Sequence, residues 1–204
     1  MTQLIMDGLA NQKGKMRRGY KKWAEDIAVR QRELLHLRAN EPLPARSLAE
    51  KLGITVVSPD QIPGITADVV SHLLHIDPGS WSAISFTRRG CTVIIHNQIH
   101  SPRRQESDLM HELAHILCEH EPSKLVQIDP SIPVLRTFDP VQEDEAIWLG
   151  GCLQLPRPAL LWAIRRGMDN TAIEKHFCAS DDIVRYRRQI TGVDRQLSSQ
   201  RGKF

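Results

Sequence analysis

From Tyr20 to about Ala39, Trp23, Ile27, Val29, Leu34, Leu35 and Leu37 alternate with charged residues at the spacing of an amphipathic helix. The segment LPARSLAEKLG predicts a shorter helix with Gly53 as its C-cap, followed by a strand in the β-branched run ITVVS. Between Pro59 and Gly79, punctuated by proline and glycine, DVVSHLLHI predicts one short helix. The runs SAISF and CTVIIHN read as strands joined by the turn TRRG, so a small, partly antiparallel sheet is expected. Helical spacing dominates afterwards, at 104–120, 141–154, 157–167, 169–177 and 181–191. The stretch EPSKLVQIDPSIPVLRTFDP carries four prolines and predicts a surface excursion that can border a cleft. The expected class is α+β, mainly helical, with a small sheet and C-terminal helices. Residues 1–18, basic and without periodicity, read as a flexible leader. Residues 19–193 read as one domain, its closing helices at about 157–193, and 194–204 as a polar tail.

Composition changes this picture little. A hydrophobic fraction of 41% and a charged fraction of 25% are those of an ordinary folded protein. The absence of an apolar run of about eighteen residues and of a signal-peptide core near the start predicts a cytoplasmic protein without membrane contact. Cys91, Cys118, Cys152 and Cys178 are irregularly spaced and are expected as reduced thiols. A net charge of +3 is too small to imply nucleic acid, and the basic runs KGKMRRGYKK and RYRRQ read first as solvated faces.

The chemistry concentrates in SDLMHELAHILCEH, which holds His111-Glu112-Leu113-Ala114-His115. Four residues apart on a helix, His111 and His115 share a face and can direct both imidazoles at one zinc ion, while Glu112 leans into the same cleft as a general base. With nine histidines in 204 residues the pattern arises by chance roughly twice in a hundred, so two surface histidines remain the bland alternative until a third ligand is found. His120 lies five residues after His115, one short of the HExxHxxGxxH arrangement, and is excluded by spacing as that ligand. It is left to packing or to orienting a ligand. Asp108 and Cys118 are further candidates to orient an imidazole.

Downstream, QEDEAIWLGGCLQLP offers Glu143 and Glu145. Glu145 shares its helix stripe with Trp148, Leu149, Cys152 and Leu153, all apolar, whereas Glu143 shares its own with Ala146, Ile147, Gly150 and Gly151. An unpaired carboxylate on the buried stripe is costly and a metal would neutralise it, so Glu145 is the expected third ligand. Glu143 is the alternative, and Asp144 follows it.

These residues resemble the ImmA/IrrE metallopeptidase family, in which HExxH precedes a glutamate helix of the type ExEAxxFAxxLLMP; here the stretch reads EDEAIWLGGCLQLP. Aligned on its closing proline, Pro156, the resemblance places the ligand glutamate at Glu145. It extends over roughly residues 20–193, through LPARSLAEKLGITVVS, IIHNQIHSPRRQESDLMHELAHILCEH and IEKHFCASDDIVRYRRQITG. It implies a zinc-peptidase-like fold, one Zn2+ per chain, peptide-bond hydrolysis and, as substrate, a helix-turn-helix repressor encoded alongside.

Other readings compete. TAIEKHFCASDDIVRYRRQITG has the form of two helices around a short turn, so Arg185, Arg187 and Arg188 can contact DNA phosphates, with Tyr186 beside them. The zinc can also serve as a structural or partner-sensing site, but such a site has no use for Glu112. Cysteine catalysis by Cys118 leaves the HExxH pattern unexplained. For the oxyanion donor, His176, Tyr186 and several arginines stand equal.

Overall fold

A computed structural model describes residues 16–121, 125–126, 135–136 and 139–201. Helix α1 (Tyr20–Leu34) and the short α2 (Ala45–Lys51) precede strand β1 (Thr55–Val57). A 3-10 turn at Pro59–Gln61 and helix α3 (Ala67–Ser71), which widens into a π-turn over His72–Ile76, lead to β2 (Ala83–Arg88) and β3 (Cys91–His96). Helix α4 (Pro102–Leu117) carries the HExxH residues, and β4 (Leu125–Val126) pairs antiparallel with β5 (Leu135–Arg136). Helices α5 (Pro140–Gln154), α6 (Arg157–Arg165), α7 (Asn170–Phe177), α8 (Asp181–Thr191) and α9 (Val193–Arg201) complete the chain. The fold is the expected mainly helical α+β arrangement. Most of the Pro-rich excursion lies outside the described residues, and so do residues 1–15 and 202–204. Among the described residues no helix is long and apolar enough to cross a membrane.

Local chemistry accounts for the boundaries. Helix α1 stops at Leu34, before the expected end, because His36 turns to φ 58° and the N–H of Leu37 bonds back to the carbonyl of Arg32. Gly53 takes φ 70° after α2, the left-handed cap that its position predicts. In the hairpin, Arg89 and Gly90 both have positive φ, a reversal whose twist matches the strands on either side. The sheet order is β1-β3-β2, with β1 parallel and β2 antiparallel to β3; Ser85 pairs with Ile94 and Ile84 with Ile95. Helix α4 begins with Pro102 at its first position, and Ser107 lies mid-helix with its hydroxyl donating to Gln154 Oε1 at 3.1 Å. The expected polar tail is helical to Arg201: fully buried Val193 anchors it, and Arg188 holds Asp194.

The main core packs α1, α2, α4 and α5 against the sheet through residues such as Leu48, Ile94, Leu109, Leu113, Leu149 and Leu153, all at most 1% exposed. A second cluster, including Leu160, Ile173, Phe177 and Val184, joins the closing helices. Helices α4 and α5 meet at Gly150, where a Cβ would stand 3.3 Å from the Met110 carbonyl oxygen and 3.4 Å from His111 Cα. Those neighbours are backbone and cannot swing away. Gly150→Val is therefore expected to lower the unfolding free energy by about 1–3 kcal/mol in urea denaturation, as overpacking does, despite the poor helix propensity of glycine.

Candidate metal centre

Helix α4 presents His111 and His115 one turn apart, and α5, brought close by Gly150, presents Glu143 one stripe back along the same seam: Glu143, Ala146 and Gly150 recur at helical spacing. Nε2 of His115 lies 3.1 Å from Nε2 of His111. Glu143 Oε2 lies 3.4 Å from His111 Nε2 and its Oε1 lies 3.5 Å from His115 Nε2. All three can offer an atom to one metal ion. These separations match the edge of about 3.3 Å in a tetrahedron whose ligands sit about 2.0–2.1 Å from zinc, so the donor set fits that ion in chemistry and spacing.

The electrostatics favour positive charge at this point. Burial pushes His111 down, but the hydrogen bond to Glu143 and the charges of Glu112, Glu143 and Asp108 outweigh it and raise the imidazole. Burial pushes the Glu143 carboxyl up, and the hydrogen bond to His111 together with the nearby His115 imidazole prevails, holding it far below the usual carboxylate range. Glu112, on the same helix, is 8% exposed and accepts a 2.5 Å hydrogen bond from Ser85 Oγ. Because β2 pairs Ser85 with the buried Ile94, its hydroxyl projects on the face turned to α4.

The structure brings Glu143, and not the expected Glu145, to the two histidines. Glu145 is 3% exposed, as its stripe predicts, but its carboxylate meets Arg17, ahead of α1, and His120 rather than the His111–His115 pair. Its charge is balanced by Arg17, whose Nε reaches Oε1 and Nη2 reaches Oε2, both at 3.0 Å. Burial would raise the Glu145 carboxyl, and the contacts of Arg17 and His120 lower it instead. Burial alone thus does not single out the carboxylate that meets the two histidines. The three side chains that do meet keep some exposure, 31% for His111, 19% for His115 and 13% for Glu143. Arg17 also falls inside the expected leader, so the packed body begins earlier than residue 19: Met16 rests on the main core.

Of the other candidates, His120 turns Nδ1 to Nδ1 of His115 at 2.9 Å. Asp108 is held by His100, Nδ1 to Oδ2 at 2.7 Å. Cys118 lies 3.2 Å from the Tyr20 hydroxyl, which donates to the Glu145 backbone oxygen, and burial pushes its thiol up, away from nucleophilic use. His176 packs against Trp162 and Phe177, and Tyr186 against Trp148. The arginines of α8 have acidic partners: Arg187 is fully buried on Glu25, Arg188 holds Asp194, and Arg185 holds Asp181. In the sequence Arg17 belongs to a basic run that reads as a solvated face, and Ser85 to a strand without assigned chemistry. A polar residue on the inward register of β2 was the available signal for Ser85; nothing local announces Arg17.

Comparison with curated proteins and with solved structures finds no match. A peptidase family described as the IrrE N-terminal-like domain matches residues 49–188, a span that contains the HExxH helix, Ser85 and Glu143. With more than half of its length in that match, the chain belongs to the family of the IrrE N-terminal-like domain, a family of peptidases.

Proposed function

We propose that the protein is a zinc-dependent endopeptidase in which His111, His115 and Glu143 hold one zinc ion and Glu112 is the general base. The observation that carries the reading is the convergence of two imidazole nitrogens, on the helix that also carries Glu112, and the Glu143 carboxylate of α5, all within 4.8 Å of one another. Bound there, zinc supplies Lewis acidity to a water molecule and to the scissile carbonyl. Glu112 takes the proton of the attacking water and returns it to the leaving amine nitrogen. Ser85 holds one oxygen of that carboxylate, which limits the rotation of Glu112 and leaves the other oxygen for the proton.

The proposed substrate is a protein, and the family resemblance favours a helix-turn-helix repressor encoded alongside. Direct DNA binding by α8 has little support, since Arg185, Arg187 and Arg188 are engaged by acidic side chains. Purified protein should contain about one zinc per chain. Incubation with the adjacent repressor should give discrete fragments, abolished by a chelator and restored by added zinc. An intact repressor would overturn the substrate, and a metal-free preparation that also fails to take up zinc would overturn the reading as a whole.

A further inference from the structure

Glu145 is turned away from the ligand cluster, yet an unbroken line of hydrogen bonds connects the two. Arg17 grips its carboxylate through Nε and Nη2 at 3.0 Å each, and through its backbone N–H at 3.3 Å. Glu145 Oε2 lies 3.2 Å from His120 Nε2, and His120 Nδ1 lies 2.9 Å from His115 Nδ1. The far nitrogen of that same His115 ring, Nε2, faces His111 and Glu143.

Donor and acceptor rules orient the whole line. An ionised carboxylate only accepts, so His120 Nε2 carries a hydrogen. With its side chain 5% exposed and the Glu145 charge already matched by Arg17, His120 is a neutral ring with a bare Nδ1. His115 Nδ1 must then donate, and its Nε2 is left bare toward the cluster, the state a metal ligand requires. Reversing the bond between the two imidazoles would need a second hydrogen, and so a positive charge, on His120 at 5% exposure, on a carboxylate that Arg17 already holds.

We propose that Arg17, Glu145 and His120 are a positioning relay that fixes the tautomer and ring plane of His115, and through it the affinity of the site for zinc. The second part rests on the zinc reading above; the first does not. It also makes the segment ahead of α1 part of the site, since Arg17 is the only member of the line that is mostly exposed, at 61% of its side chain.

Nitrogen-15 NMR of histidine-labelled, metal-free protein reads the tautomer, and chelator competition reads zinc affinity. In the wild type His115 should be a single Nδ1–H tautomer. His120→Phe keeps a ring but no acceptor, and should lose that preference and bind zinc roughly 10–100-fold more weakly. His120→Gln, with an acceptor and a donor, should recover most of the loss, and Arg17→Ala should weaken binding by roughly tenfold. If His120→Phe does not fold, Arg17→Ala carries the same two readouts from a site near the surface. An unchanged His115 tautomer in these variants overturns the relay while leaving the zinc reading intact. A wild type that takes up no zinc overturns the zinc reading, and the tautomer in the metal-free protein then decides the relay alone.

Discussion

Glu143→Ala is expected to release zinc, and Glu145→Gln only to weaken its hold. A zinc site of four ligands is worth about 10–16 kcal/mol, so one ligand accounts for about 3 kcal/mol, a factor on the order of a hundred or more in dissociation constant. Glu143 meets both imidazoles, whereas Glu145 reaches the cluster only through His120 and should cost roughly tenfold. Cobalt substitution separates the two roles, because loss of a ligand changes the coordination geometry seen in the visible spectrum and loss of a remote hydrogen bond does not. The opposite ranking, with Glu145→Gln the more severe, would restore the assignment that the sequence favours.

Glu112→Gln should abolish cleavage and spare the metal. Amide and carboxylate have nearly the same shape, and glutamine can still meet the Ser85 hydroxyl at 2.5 Å, so the helix and the His111–His115 spacing should persist. What disappears is the proton acceptor, and general acid–base groups contribute about 10²–10⁴-fold in rate. Zinc content near one per chain with hydrolysis reduced by that factor is the expected pair of results. Retained hydrolysis would remove Glu112 from the chemistry and point to another base.

Much of this fold was legible locally. The spacing of Trp23, Ile27 and Leu34, the glycine after α2 and the turn at Arg89-Gly90 are short-range signals, and each element stands close to where they place it. His111 and His115 were legible for the same reason, since a helix fixes residues four apart. The choice between Glu143 and Glu145 was not, because it depends on which stripe of α5 meets α4. Gly150 held the answer: it approaches the His111 backbone, and Glu143 lies seven residues before it on the same face. Reading the most apolar stripe as the metal side picked Glu145, which a cation does neutralise, but the cation is Arg17. Partners such as Arg17 and Ser85 are chosen by tertiary packing, and no local pattern encodes that choice.

The Arg17–Glu145 bridge joins residues 128 positions apart. During synthesis the chain is made from its N-terminus, so His111, Glu112 and His115 leave the ribosome before Glu143 and Glu145 do. A nascent chain therefore carries the HExxH residues without the carboxylate that meets them or the one that Arg17 holds. The proposed zinc site can therefore be completed only late in translation, when α5 docks on α1 and α4, and a chain that stops short of residue 143 is expected to bind zinc weakly and to cleave nothing.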